Sequence, residues 1–411
     1  MKKYVTLISL FFFLLISCQA ETEVYTSLFR SSSRLDNPYG VCSHINRKGE
    51  RNEYDTRIHD VAMISAAGAT FVRTDFDWNI CQPHVEGPFN FEQHLAMMES
   101  VNNEKLHVLG ILWPTVSSRS FSQYEEYVKR NVSLFKESVK YWEVVNEADQ
   151  LNRRIADFTA EAYVKLLRET NRIIKKENRR AKVLISSVDI YYNKFYEEVF
   201  KAGVSNDFDI LNIHWYANKE TQPEDLIGYL KWVKALSTKY GINKSAWLTE
   251  TGCTTVPSYA TEDIQAQRLP RIFLISFALG MDKVFWYKSR SCELSVDNAE
   301  DYYGLWHKDY TPKPAFFVYK TLTEMCPNKS IRPTLVRKGN IYVASWKRPD
   351  KKKVWALWTR EGKEDVFVNI QGHYSCYDLK GNALRLNDNK YKISPHIIYI
   401  VGANNVQIQN D

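Results

Sequence analysis

Spacings that hold metal ions are missing from this sequence. No histidine and carboxylate cluster has the intervals of a metal site. The six cysteines beyond residue 18 (Cys42, Cys81, Cys253, Cys292, Cys326 and Cys376) never fall in the close pairs of a zinc site or a redox motif. No Gly-x-Ser-x-Gly turn or Cys-His pairing offers another nucleophile, so no cofactor is implied. The cysteines read as buried thiols, with one or two bridges allowed in an oxidising compartment. Cys253 and Cys292, after the seventh and eighth predicted strands, are the candidate pair. Strong charge of one sign is lacking too: 55 Lys and Arg face 48 Asp and Glu, a net +7. Basic clusters at 172–182 and 347–353 fall on a predicted helix end and a predicted hairpin turn, with no interleaved aromatic residues, which argues against nucleic acid as a partner. Repeats and low-complexity segments are absent, and past the first twenty residues no apolar run approaches the ~20 residues of a spanning helix.

What is there begins with an export signal. Lys2-Lys3 is a positive start, Val5 to Ile16 an apolar stretch too short to span, and Leu15-Ile16-Ser17-Cys18 sets a small residue before a cysteine. Residues 1–18 resemble a bacterial lipoprotein signal, which implies cleavage and lipidation of Cys18, with the membrane reached by that lipid alone. Glu21 and Glu23 resemble the acidic export tags of surface lipoproteins in the Bacteroides group, implying an outer-membrane location in the cell envelope.

After a polar leader, 19–37, short apolar runs alternate with helical patterns. Strands are expected at 39–45, 69–75, 106–113, 140–146, 182–188, 208–215, 245–250 and 283–288. Helices are expected between and after them at 57–67, 91–104, 121–138, 158–178, 191–202, 223–240, 261–280 and 312–325, with Gly68, Gly203, Gly241 and Gly280 as C-terminal stops. Eight strand and helix pairs in strict alternation over about 290 residues predict a closed (β/α)8 TIM barrel across 38–328. A doubly wound sheet would carry a glycine-rich phosphate turn after its first strand, where Gly40 stands alone. From 329 to 411 the pattern shifts to short β-branched and aromatic runs at 340–347, 353–359, 365–370 and 396–401, predicting a small antiparallel β-sandwich.

Two strands end in chemistry. The run Tyr141-Trp142-Glu143-Val144-Val145-Asn146-Glu147 carries an amide and a carboxylate out of an apolar strand, and Ser245-Ala246-Trp247-Leu248-Thr249-Glu250 does the same with one Glu. Polar groups at strand ends suit a cleft better than a core, and in a barrel all C-terminal strand ends converge on one mouth. Two facing carboxyl groups are what glycoside hydrolysis requires. Strand two brings Arg73, able to keep a carboxylate ionised, and strand six His214 and Tyr216, which share a face by alternation. Strand eight brings Trp286, whose ring could floor a sugar site. Asp75, Asp77, Trp78, Trp113, Asp189 and Trp215 hold further strand-end or loop positions.

On these residues the barrel resembles glycoside hydrolase clan A, and the wording Trp142-Glu143-Val144-Val145-Asn146-Glu147 with Leu248-Thr249-Glu250-Thr251-Gly252 is similar to that of family 39 and its neighbours. The resemblance implies a retaining enzyme in which Glu147 is the acid/base and Glu250 the nucleophile. It further implies that Asn146 holds the sugar 2-hydroxyl, Arg73 and Tyr216 hydrogen-bond the nucleophile, and His214 stands near the acid/base. Ala148 departs from the pattern, since many relatives carry proline there. The chain is also shorter than the larger exo-acting xylosidases of the family. The expected partner is a polysaccharide or oligosaccharide met by a monomer. The competing reading is a non-catalytic glycan-binding lipoprotein on a hydrolase-like barrel; it needs aromatic platforms but no acid/base pair, so retention of both glutamates argues against it.

Overall fold

The computed structural model describes residues 22–47, 56–113, 120–155, 157–188, 193–217, 219–385 and 390–410. Cys18, the rest of the 1–18 segment and Asp189 lie outside them. Eight parallel strands close into a barrel: Tyr39–Cys42, Phe71–Asp77, His107–Trp113, Tyr141–Val144, Lys182–Leu184, Ile210–His214, Ser245–Thr251 and Met281–Tyr287. Each pairs with its sequence neighbour, and the first closes on the eighth through Gly40↔Phe285 and Val41↔Trp286. A Cβ on Gly40 would sit 2.2 Å from the Phe285 ring, so close packing excludes any side chain there.

Strand alternation divides the apolar residues between two cores. One parity fills the barrel with Cys42, Phe71, Leu109, Leu184, Ile210, Trp247 and Phe285. The other, with Val72, Val108, Trp142, Val183, Leu248 and Trp286, meets the surrounding helices in the main core. Main helices follow at Arg57–Ala66, Glu92–Asn103, Phe121–Phe135, Ala160–Glu177, Asn193–Lys201, Asp225–Lys239, Glu262–Ala278 and Pro314–Met325. Ser120 starts one of them with a capping box to Gln123, and Thr159 and Thr261 accept from their own third-position N–H groups. The four glycines expected as stops all have positive φ. Two short helices, Trp78–Cys81 and Ala148–Arg154, were not expected, because each begins directly at a strand end with too few residues to show a period.

Beyond the barrel, nine strands from Thr334 onward and one from the N-terminal part form a seven-stranded and a three-stranded antiparallel sheet. Ile341, Trp355, Leu357 and Ile400 of one sheet meet Val366, Val368 and Ile393 of the other. The N-terminal contributor is Thr22–Tyr25, inside the stretch read as a polar leader; it pairs antiparallel with Thr334–Lys338. Its polar residues hid a strand whose order comes from pairing rather than burial, since only Tyr25 is buried. All six described cysteines are buried and free, so Cys253 and Cys292 form no bridge. Cys253 Sγ instead receives Arg268 Nη1 at 3.6 Å, and Cys292 Sγ receives Lys288 Nζ at 3.3 Å. Among the described residues no helix is long and apolar enough to cross a membrane.

Sandwich and barrel share the main core, and one ion pair is sealed between them. Arg271 and Glu224, neither exposed, are joined in a two-point bond, and Trp358 Nε1 donates to Glu224 Oε1 at 2.7 Å. Glu224→Ala leaves a buried guanidinium without its carboxylate and should cost about 3–5 kcal/mol. Urea denaturation checks this, and Glu224→Met with Arg271→Met should recover most of the loss.

Candidate active site

At the C-terminal mouth, inward-facing side chains change from apolar to charged one layer above Phe71, Leu109 and Trp247. Arg73 is 2 % exposed and is the hub. Its Nε and Nη2 bond Glu143 at 2.7 and 2.8 Å, Nη2 also reaches Asn146 Oδ1 at 2.7 Å, and Nη1 bonds Glu250. A buried guanidinium in this setting needs its N–H groups matched; two carboxylates and an amide accept four bonds, and Nη1 also meets Cys42 Sγ at 4.0 Å.

Glu250 reaches the mouth through an irregularity. Pairing slips between Ile213 and His214 and again between Leu248 and Thr251, so consecutive residues Thr249 and Glu250 both project inward. Tyr216 Oη donates to Glu250 Oε2 at 2.7 Å, and His214 Nδ1 lies 3.5 Å from the same oxygen. Burial alone would raise the Glu250 carboxyl; the positive charges of His214 and Arg73 and the Tyr216 bond outweigh it and bring it down to about 2.

Glu147 faces Glu250 from a left-handed backbone conformation that side chains rarely adopt. Val145 and Glu147 have φ of 68° and 44°, flanking Asn146 and turning strand directly into the Ala148–Arg154 helix. A left-handed β-branched valine is strained, and it persists where the surroundings dictate the turn. Tyr163 Oη donates to Val144 O at 3.2 Å and Ala148 N donates to Ser186 Oγ at 2.8 Å, pinning both sides. That second bond accounts for Ala148, because proline has no N–H to give. Gln150 Nε2 donates to Glu147 Oε2, and the carboxylate keeps 22 % of its side chain exposed.

His214 bridges the two glutamates. Thr249 donates its hydroxyl to Asn212 Oδ1, so toward His214 Nε2, 3.0 Å away, it accepts and Nε2 carries a proton. Nδ1 then faces Glu147 Oε1 at 3.1 Å, an arrangement that needs one proton between them, on the imidazole or on the carboxyl. Burial presses the His214 pKa down, but Glu250 and the Glu147 bond raise it on balance. One oxygen of each glutamate and a ring nitrogen of His214 lie within 4.8 Å of one another, a trio no sequence spacing foreshadows. These are metal-ligand types, but Arg73 already neutralises Glu250 and a proton occupies the His214–Glu147 contact, which opposes a divalent cation.

Glu147, Glu250, Asn146, Arg73, His214 and Tyr216 thus meet in one hydrogen-bonded cluster. Trp286 does not join it: it is fully buried among the helix-facing residues, and its neighbour Tyr287 takes the inward position. The expectation placed the ring on the wrong strand parity. Tyr287 Oη donates to Glu300 at 2.9 Å, and its ring lies 6.0 Å from Tyr216 and 5.5 Å from Tyr303 in edge-on contacts. Asp75 sits beside it under His44 at 3.0 Å and a two-point Arg47 bond at 2.8 and 2.9 Å. Trp78 is buried, whereas Trp113 and Trp215 remain partly exposed. Glu143 was not picked out from sequence, although a carboxylate inside an apolar strand at Arg73's level is a signal that a buried cation is near.

A closed parallel barrel with a pair of facing carboxylates at its mouth is an arrangement that suits glycoside hydrolysis. Residues 72–304 match the model of the glycosyl hydrolase catalytic core family, and the chain belongs to that family. Among solved structures, a family 39 glycoside hydrolase from the gut symbiont Bacteroides cellulosilyticus WH2 is similar at 19% identity and a TM-score of 0.73, over 90% of this chain and 81% of that one. A monomeric beta-xylosidase from Caulobacter crescentus CB15 is similar at 12% identity and 0.65, over 94% and 99%. The GH39 enzyme from Xanthomonas axonopodis pv. citri gives 12% and 0.62, over 94% and 97%. No curated protein sequence matches. The fold is therefore that of family 39 relatives, and the chain spans nearly the whole length of the Caulobacter enzyme.

Because the Glu250 pKa falls from 4.5 to about 2 on folding, its ionised form stabilises the native state above the unfolded value. That contribution is lost as pH falls through the folded value. Glu250→Gln should therefore flatten the stability-against-pH curve across this acid window, as read by urea denaturation at stepped pH; an unchanged slope would remove the ionised assignment.

Proposed function

We propose that this glycoside hydrolase is a retaining β-glycosidase that cleaves a polysaccharide or oligosaccharide by double displacement. The observation that carries the reading is the carboxylate pair, with oxygens of Glu147 and Glu250 within 4.8 Å. Retaining enzymes hold their carboxyl groups roughly 5–5.5 Å apart, whereas inverting ones need about 6.5–9.5 Å to admit a water between. The environments of the two also differ in the required sense. Glu250 is kept ionised by His214, Arg73 and Tyr216, while Glu147 shares a proton with His214.

In the first step Glu250 attacks the anomeric carbon, forming an ester bond as the glycosidic C–O bond breaks, and Glu147 passes its proton to the leaving oxygen. In the second, the Glu147 carboxylate takes a proton from water, whose oxygen attacks the same carbon and frees Glu250. Asn146 Oδ1 accepts from Arg73 Nη2, which leaves the amide N–H groups of Asn146 to hold the sugar 2-hydroxyl. His214 holds Glu147 Oε1 through Nδ1 at 3.1 Å while the carboxyl gives up its proton in the first step and regains one from water in the second. Tyr287, with Tyr303 behind it, is the aromatic wall for the sugar in place of Trp286.

Glu250→Gln should abolish turnover of aryl β-glycosides while retaining ligand binding. Glu147→Gln should slow glycosides with poor leaving groups by about 10²–10⁴-fold and activated ones much less. Proton NMR of the first-formed product should show the β-anomer; the α-anomer would overturn the double displacement, and equal activity in wild type and Glu250→Gln would leave a glycan-binding protein.

We propose also that the chain is anchored in the cell envelope through a lipid on Cys18, on the strength of the Leu15-Ile16-Ser17-Cys18 run. Cys18→Ala should move the protein from the membrane fraction to the soluble one and remove the acyl mass from the N-terminal peptide.

A further inference from the structure

A cavity of about 590 Å³ lies at the opposite end of the barrel from the glutamates, a volume in the range of small-ligand sites. Its walls are the first residues of several barrel strands, Tyr141, Lys182, Ile210, Ser245 and Lys283 among them. Its floor is the 30–36 segment, which crosses beneath the barrel.

The charges around this cavity do not balance. Its three carboxylates are each paired already, mostly with cations outside the lining: Asp36 with Lys329, Asp282 with Arg332 at 2.7 Å, and Asp209 with Lys175 at 2.6 Å and Lys182 at 3.8 Å. Among the described residues Arg30, Arg34 and Lys244 line the cavity without an ion pair; the Arg34 guanidinium donates to the Lys329 carbonyl at 3.1 Å, and the Lys244 ammonium lies over the Phe208 ring.

Lys283 adds a buried cation, 4 % exposed. Its ammonium donates to the carbonyls of Asp36 at 2.7 Å and Asn37 at 3.1 Å and lies 4.6 Å over the Phe71 ring and 5.1 Å over Trp247. Carbonyls and ring faces stabilise an ammonium without neutralising it. Burial accordingly draws its pKa down to about 8, a cost that an anion beside it would relieve. Tyr141, partly exposed, adds an aromatic surface to the same wall.

We propose that this cavity is a second, non-catalytic binding site for a sugar that bears an oxyanion, a carboxylate or a sulfate. Arg30, Arg34, Lys244 and Lys283 would hold the anion, with the sugar ring against Tyr141. The sugar half of this rests on the reading of the chain as a carbohydrate enzyme; the anion half rests on the unbalanced charges alone. Such a site at the closed end of the barrel would let the enzyme hold an acidic glycan without occupying its cleft.

The test is calorimetric titration of the whole protein with glucuronate, glucose and inorganic sulfate at constant ionic strength. Glucuronate should bind saturably and glucose should not. Arg30→Glu with Lys244→Glu, both on the surface and remote from the glutamates, should weaken glucuronate by about tenfold or more and leave aryl-glycoside turnover unchanged. Tyr287→Ala, which removes the aromatic wall of the cleft, should bind glucuronate as the wild type does, which separates this site from the cleft whether or not the retaining mechanism holds; binding lost with Tyr287 would place the sugar in the cleft and overturn the site. Sulfate binding as tightly as glucuronate would keep the anion site and overturn the sugar. No saturable binding, or binding that survives the charge reversals, would overturn the site.

Discussion

One guanidinium holds the active end of this barrel together. Arg73 is the point where strands two, four and seven are tied through side chains, because its N–H groups are divided among Glu143, Asn146 and Glu250. An isolated charge so far from water would be untenable, and so would either carboxylate. Together they are mutually necessary, and the same bonds that make the burial tolerable fix the orientation of the Glu250 carboxylate and of the Asn146 amide. Glu143 takes no part in chemistry under this view; its work is to leave Arg73 only one direction in which to meet Glu250.

A second layer sets protons rather than positions. Asn212, Thr249 and His214 form a short relay whose donor order follows from one hydroxyl having a single proton to give. The relay ends at Glu147, so the hydrogen bond that reaches this partly exposed carboxyl is set from inside the barrel. Glu250 is therefore controlled by charge and Glu147 by hydrogen-bond direction, two different means of separating the behaviour of chemically identical groups.

Much of this was legible in the residues. Eight alternating runs foretold the closed barrel, and once strand ends are known to converge, Arg73, Asn146, Glu147, His214, Tyr216 and Glu250 become neighbours without any knowledge of distance. What escaped was whatever depends on parity or on a local slip. Trp286 and Tyr287 are one residue apart and face opposite ways, and sequence offers no register mark to choose between them. Thr249 and Glu250 would normally face opposite ways too, and only the irregular pairing beside them places both inside. The Thr22–Tyr25 strand was hidden for another reason: its partner lies about three hundred positions away, and an edge strand with a polar face has no periodic signature of its own.

That edge strand bears on how the molecule is assembled. Ser27 to Phe29 pass against Gly280, and Leu28 N donates to Leu279 O at 2.9 Å, just before the last barrel strand begins. The Thr22–Tyr25 strand and the residues after it can therefore settle only once their partners at Leu279 and Thr334–Lys338 have been made, so this part of the fold waits on the final third of the chain. Once it is in place, a segment that in most proteins would fray is clasped between the end of the Glu262–Ala278 helix and the seven-stranded sheet. A protease meeting the folded enzyme would find the backbone from Thr22 to Phe29 already engaged.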